Sequence, residues 1–79
     1  MNAEAEPPTT ADREIGQRIA YFREDVGLTR AELAEQLGAD EELVEAWEEG
    51  KVITYASDID RLCHVLDIQP NDLLIPDLQ

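Results

Sequence analysis

The chain has 79 residues, of which 43% are hydrophobic and 5% aromatic, so it is long enough for one small domain with a mostly aliphatic core. Nineteen acidic and six basic residues give a formal net charge of −13, which disfavours contact with nucleic acids or anionic membranes and favours basic protein surfaces. The single cysteine excludes an internal disulfide, and the lack of a long apolar run or a charged-then-apolar leader predicts a cytoplasmic protein without a transmembrane helix.

The chain begins with a small, polar, proline-bearing segment over residues 1–11, and we predict a disordered leader there, followed by a folded domain over residues 12–79. A first helix is predicted to begin at Asp12 and to end at Gly27, since glycine is common just after helix C-termini. Apolar residues recur in it at spacings of four, three and four, which indicates one buried face: Ile15, Ile19, Phe22 and Val26.

Two short helices are predicted next, each with its own boundary signals. Thr29 and Glu32 have the spacing of a capping box at the start of the second helix, and Gly38 allows the tight turn after it. Asp40 is a good cap for the third helix, and Gly50 closes that helix. The predicted buried residues are Leu33, Ala34 and Leu37 in the second helix, and Val44 and Trp47 in the third.

The remaining chain predicts two more helices after a loop over residues 51–56. Ser57 is the predicted cap of the fourth helix, and Pro70 suits the first position of a brief fifth helix. The apolar residues of these two helices are Ile59, Leu62, Cys63 and Leu66, followed by Leu73 and Leu74. Because no segment alternates as a strand does, the fold class predicted is all-α, with five short helices.

The sequence contains no pattern of residues that indicates catalysis or a bound cofactor. It has no glycine-rich phosphate loop and no cysteine–histidine metal spacing, and His64 is accompanied at helical spacing only by Asp60 and Asp67. Cys63 is interpreted as a small core residue. We therefore predict a protein that is not an enzyme and that has no cofactor, metal or catalytic residue.

Four motifs occur in order between Ile15 and Leu74 and together resemble the Cro/repressor-like, or XRE-type, helix-turn-helix family. They are R-x-x-x-G-L-T over 23–29, A-E-L-A-E-Q-L-G over 31–38, W-E-x-G-K over 47–51 and D-I-x-P-N-D-L-L over 67–74. The resemblance implies the lambda-repressor-like fold, with structural roles for Trp47 and Gly38. It also implies a partly buried ion pair between Arg23 and Glu48.

In this family the N-terminal part of the third helix lies in the major groove of DNA. The resemblance places acidic residues there, whereas specific base contacts commonly use Arg, Lys, Asn or Gln. From Ala31 to Gly50 the chain has eight acidic residues and no basic one. The residues available to contact the DNA backbone are Arg18, Arg30 and Lys51.

Two functional hypotheses follow from this conflict between fold and charge. In the first, the third helix binds a basic surface of another regulatory protein, as an antirepressor or antiactivator, through Asp40, Glu41, Glu42, Glu45 and Glu49. An apolar contact by Leu43, Val52, Ile53 and Tyr55 would add to it. The alternative is a sequence-specific, double-stranded DNA-binding regulator that acts as a dimer. A merely solvated acidic face, the sense of regulation and the oligomeric state, including a homodimer, stay open at this point.

Overall fold

The computed structural model describes residues 9–74, and within that range the chain forms five helices and no strand. The predicted all-α fold class is therefore confirmed. The helices are α1 (Thr10–Asp25), α2 (Arg30–Leu37), α3 (Glu41–Glu48), α4 (Ala56–Leu66) and α5 (Pro70–Leu73). None of them is long and apolar enough to cross a membrane.

The start of α1 lies inside the segment that the sequence assigns to the leader. Thr9 is the N-cap: its hydroxyl accepts a hydrogen bond from the Asp12 N–H at 3.3 Å, and the Asp12 carboxylate accepts one from the Thr9 N–H at 2.8 Å. This capping box satisfies two N–H groups that the first turn leaves without helical partners, so the helix begins two residues before Asp12. The rest of the predicted leader, residues 1–8, lies outside the described residues, as do residues 75–79.

The other helix boundaries follow local signals, with one exception. Thr29 and Glu32 form the predicted capping box, with hydrogen bonds of 2.8 and 3.0 Å, and Gly38 ends α2 in the left-handed conformation with φ of 69°. The prediction that Ser57 caps α4 is wrong. Tyr55 occupies the cap position instead, because its N–H donates to the Asp58 carboxylate at 3.1 Å.

The core lies where α1 and α2 pack against α3, with α4 and α5 closing the far side. Gly16 allows α1 to approach α3 closely, because a Cβ at this position would overlap the carbonyl oxygen of Trp47. The residues with under 2% of their surface exposed, or about 2% for the tryptophan, come from all five helices: Ile19, Leu33, Val44, Trp47, Leu62, Leu66 and Leu73.

Two apolar residues that the sequence assigns to helices lie at helix ends and are exposed. Val26 is 48% exposed because it is the C-cap of α1, one residue beyond the helix, so its side chain leaves the buried face. Leu74 is 39% exposed at the C-cap of α5, where the backbone has become extended. The helical period therefore predicts burial only as far as the helix continues.

Candidate partner-binding surface

The third helix is held against the core by one face and presents acidic residues on the other. Val44, Trp47 and Glu48 are the buried residues of α3. The five acidic residues predicted for partner binding all have exposed side chains, and we call them the α3 face: Asp40, Glu41, Glu42, Glu45 and Glu49. Glu41, Glu45 and Glu49 are spaced by four, which aligns them along the helix.

Glu48 lies beneath this face and is the buried centre of an ion-pair network. Its carboxylate accepts from Arg23 Nε at 2.6 Å and from Arg23 Nη2 at 3.1 Å, and the side chains of Glu48 and Arg23 are only 2% and 10% exposed. Arg23 also donates from Nη1 to the Leu28 carbonyl at 2.8 Å. The structure thus contains the ion pair that the family resemblance implies. The hydrogen bond with Glu48 raises the pKa of Arg23 above its ordinary value, so the charge on Arg23 is retained.

The Arg30 side chain crosses from the start of α2 to α3 instead of pointing into solvent. Its Nε donates to Glu48 Oε1 at 2.9 Å, and its Nη1 lies 3.9 Å from Glu45 Oε2. The sequence places Arg30 among the residues available to contact the DNA backbone and does not predict this contact. The two partners are 15 and 18 residues away along the chain, so no local pattern reveals it.

The other two bases expected to meet the DNA backbone also have partners within the chain. Lys51 Nζ lies 3.0 Å from Glu49 Oε1, and this contact lowers the pKa of the Glu49 carboxyl. Arg18 Nη1 donates to the Asp72 carbonyl at 3.3 Å. Each of the three candidate phosphate contacts would therefore compete with an existing interaction.

The remaining negative charge is concentrated at the N-terminal end of α3. Within residues 9–74, no basic side chain forms an ion pair with Asp40, Glu41 or Glu42, and the Asp40 side chain makes no capping hydrogen bond. Carboxylates in the first turn interact favourably with the helix dipole, so α3 tolerates this charge without help from bases. A shallow surface depression begins next to this turn and is lined by Glu42, Glu45, Ala46, Glu49 and Lys51.

The four residues predicted to form an apolar contact do not share one environment. Leu43 and Tyr55 are 37% and 60% exposed. Val52 and Ile53 are half-buried, and Val52 packs against the core. The exposed apolar surface near α3 is thus smaller than the sequence predicts. Within residues 9–74, no group of three or more His, Cys, Asp or Glu side chains could hold a metal ion.

Residues 14–74, most of the chain, match a family described as a helix-turn-helix domain. The chain belongs to the helix-turn-helix family of the Cro/repressor-like, XRE type. In this fold α2 and α3 form the helix-turn-helix pair, and Gly38 provides the turn between them. No curated protein sequence matches the chain.

Two solved structures of regulators are similar to this helix-turn-helix protein over most of their length. The restriction-modification controller protein C.AhdI from Aeromonas hydrophila is 32% identical, with a TM-score of 0.74 over 78% of this chain and 94% of its own. The clp gene regulator ClgR from C. glutamicum is 25% identical, with a TM-score of 0.78 over 82% of this chain and 84% of its own. The chain therefore has the fold of transcription regulators.

The same fold also occurs as part of a larger protein. Hydroxypropylphosphonic acid epoxidase from S. wedmorenis is 32% identical, with a TM-score of 0.79 over 85% of this chain. The chain spans only 36% of the epoxidase. Because regulators and part of an enzyme chain share this architecture, the fold by itself does not assign a function, and the side chains on α3 have to be considered.

Proposed function

We propose that this helix-turn-helix protein regulates transcription by binding another protein, and that the α3 face contacts a basic, DNA-reading surface of that partner. It would act as a cytoplasmic antirepressor or antiactivator, without enzymatic activity or a cofactor. The observation that carries this proposal is the charge of the α3 face. Five exposed carboxylates lie there, and the two bases that contact residues of this face, Arg30 and Lys51, are already paired with carboxylates.

The same arrangement disfavours binding to DNA. Strong DNA-binding proteins commonly neutralise about six to ten phosphates. The three bases considered as phosphate contacts are Arg18, Arg30 and Lys51, and each would have to leave a carboxylate or carbonyl partner to reach a phosphate. Like charges brought together across an interface cost several kcal/mol, and the α3 face would bring five carboxylates toward the phosphates.

A basic protein surface has the complementary charge. Opposite potentials speed the encounter of two proteins and fix their relative orientation. Glu41, Glu45 and Glu49 lie in a row with neighbouring Cβ atoms about 5–6 Å apart. A DNA-binding partner carries basic side chains on the surface that contacts DNA phosphates. A row of carboxylates on a helix is complementary in charge to that surface.

One set of observations favours the alternative, a dimeric DNA-binding regulator. Family membership and the similarity to C.AhdI and ClgR support regulatory use of the fold. For α3 to enter the major groove of DNA, however, Arg30 and Lys51 would have to leave their carboxylate partners. The dimer would also have to hold the α3 face away from the phosphates. The charge of α3 therefore makes protein binding the better-supported function.

Two titrations by fluorescence anisotropy test the proposal, at about 20 mM salt, where screening is weak and every phosphate contact is favoured. One uses labelled duplex DNA, and the other a labelled oligo-arginine peptide that stands for a basic protein surface. We expect peptide binding and no DNA binding up to about 100 μM, the weak limit of non-specific binding. Salt-sensitive DNA binding by the wild-type protein would refute the proposal.

A matched pair of charge reversals locates the contact. Glu41→Arg with Glu45→Arg reverses two charges on the α3 face, whereas Glu14→Arg with Glu35→Arg reverses two exposed charges on α1 and α2. Both double variants change the net charge equally. We expect the first to abolish peptide binding and the second to weaken it only slightly. Equal losses would mean that the peptide responds to overall charge and not to the α3 face.

A further inference from the structure

The contact of Arg30 with α3 divides the α3 face into two halves. The N-terminal half is Asp40, Glu41 and Glu42, and the C-terminal half is Glu45 and Glu49. Arg30 is the first residue of α2, and its guanidinium reaches the C-terminal half of α3. There it meets Glu48 at 2.9 Å and lies 3.9 Å from Glu45. The Glu48 carboxylate is only 2% exposed and is fixed by Arg23 at 2.6 Å. The position of Arg30 is therefore set by a buried group and not by a mobile surface side chain.

The hydrogen bond from Arg30 to Glu48 keeps this guanidinium charged and orients it along α3. It raises the pKa of Arg30, with further contributions from the charges of Glu45 and Glu49. Lys51 covers Glu49 in a similar way, although its side chain is 72% exposed and held by one surface contact. The C-terminal half of the α3 face is thus largely neutralised from within the chain.

We infer that Arg30 is a specificity-determining residue of the α3 face, because Glu48 holds it where it neutralises the C-terminal half and directs basic partner groups to the N-terminal half. This inference rests on the proposed function and adds to it which part of the surface a partner contacts. Arg30 does not touch the partner in this arrangement. It acts through the charge that it removes from Glu45.

The first test changes the charge at Arg30. Arg30→Gln frees Glu45, and we expect about two- to fivefold tighter binding of the oligo-arginine peptide, as for one additional exposed ion pair. Arg61→Gln is the matched control, since it removes the same charge at the opposite end of α2, where Arg61 donates to the Leu37 carbonyl. Arg30→Lys restores the charge, and we expect affinity close to that of the wild type.

The second test compares the two halves of the α3 face directly. Glu41→Gln with Glu42→Gln and Glu45→Gln with Glu49→Gln each remove two charges. In the wild-type background we expect the first pair to weaken peptide binding more. In the Arg30→Gln background the difference between the two losses should become smaller, because Glu45 is then free to bind while Lys51 still pairs with Glu49.

The outcomes separate this inference from the proposed function. Absence of peptide binding by the wild-type protein would overturn both. Peptide binding that responds to the charge reversals on α3, but is the same for Arg30→Gln and Arg61→Gln, would overturn only the role of Arg30. Trp47, the sole tryptophan and 2% exposed, reports by its fluorescence whether each variant is folded.

Discussion

Removing Glu48 should strongly destabilise the domain, because that carboxylate balances a buried arginine. In Glu48→Leu, Arg23 would keep the Leu28 carbonyl as a hydrogen-bond acceptor but would lose the carboxylate that accepts from its Nε and Nη2. Only 10% of the Arg23 side chain is exposed, so water cannot fully replace the lost partner. Arg30 is half-buried and can turn into solvent, so its loss of the same partner costs less.

The magnitude follows from the burial of the pair. Breaking a buried ion pair by removing one member costs about 3–5 kcal/mol. A domain of this length is stabilised by about 4–12 kcal/mol in total, at about 0.05–0.15 kcal/mol per residue. Since each kcal/mol lowers the melting temperature of such a domain by about 4–8 °C, Glu48→Leu should melt at least about 12 °C lower.

Urea unfolding followed by Trp47 fluorescence measures this loss, and Glu24 supplies a matched control. The Glu24 carboxylate also contacts Arg23, at 3.6 Å, but its side chain is 70% exposed. We expect Glu24→Leu to cost at most about 1 kcal/mol, as for exposed ion pairs. Equal effects of Glu48→Leu and Glu24→Leu would refute the reasoning, because burial would then have no influence on the cost.

A double variant checks the physical cause. Arg23→Met combined with Glu48→Leu replaces both charges by apolar groups, and such replacements are often neutral or stabilising relative to a buried pair. The Leu28 carbonyl would lose its donor, which costs about 1–3 kcal/mol. We therefore expect the double variant to be more stable than Glu48→Leu alone, and a further loss of stability would contradict the explanation.

Three other substitutions test separate features. Gly16→Ala would place a Cβ against the Trp47 carbonyl and force α1 away from α3, so we expect a loss of about 1–3 kcal/mol in urea unfolding despite the better helix propensity of alanine. The hydrogen bond from the Thr9 N–H lowers the pKa of Asp12 in the folded domain. Ionised Asp12 therefore stabilises the fold fully above the unfolded pKa of about 3.9, and this stabilisation is lost as the pH falls through the lower folded pKa. Asp12→Asn should therefore lose less stability than the wild type in urea titrations between about pH 5 and pH 2. Asp67 has a positive φ of 60° at the C-terminus of α4. Asparagine favours this conformation and lacks the negative charge that the helix dipole opposes there. We therefore expect Asp67→Asn to stabilise the domain by about 0.5–1 kcal/mol, which raises the melting temperature by a few degrees.

The fold follows from sequence signals that span only a few residues. The Thr29–Glu32 capping box and the glycines with positive φ at 27 and 38 mark helix ends unambiguously. The start of α4 is ambiguous, because an acid follows three residues after both Tyr55 and Ser57, and Ser is the better cap by composition. The structure places the cap at Tyr55, so intrinsic preference for a cap residue does not decide this boundary.

The candidate site is predictable only in part, since its residues are visible in the sequence but their pairing is not. The sequence shows that Glu41, Glu45 and Glu49 share a face, because they are close along one helix. It does not show that Arg30 is held by Glu48, because this contact depends on how α2 crosses α3. For that reason the sequence assigns Arg30 to phosphates, whereas the structure assigns it to a carboxylate.

The way α3 is anchored separates the residues that hold the helix from those that it presents to solvent. All of its buried contacts come from Val44, Trp47 and Glu48, and the outward positions carry no share of the core. Substitutions at those positions, including reversals of charge, should therefore leave the fold unchanged. The same anchored helix can therefore present a different charge to its surroundings while Val44, Trp47 and Glu48 stay in place.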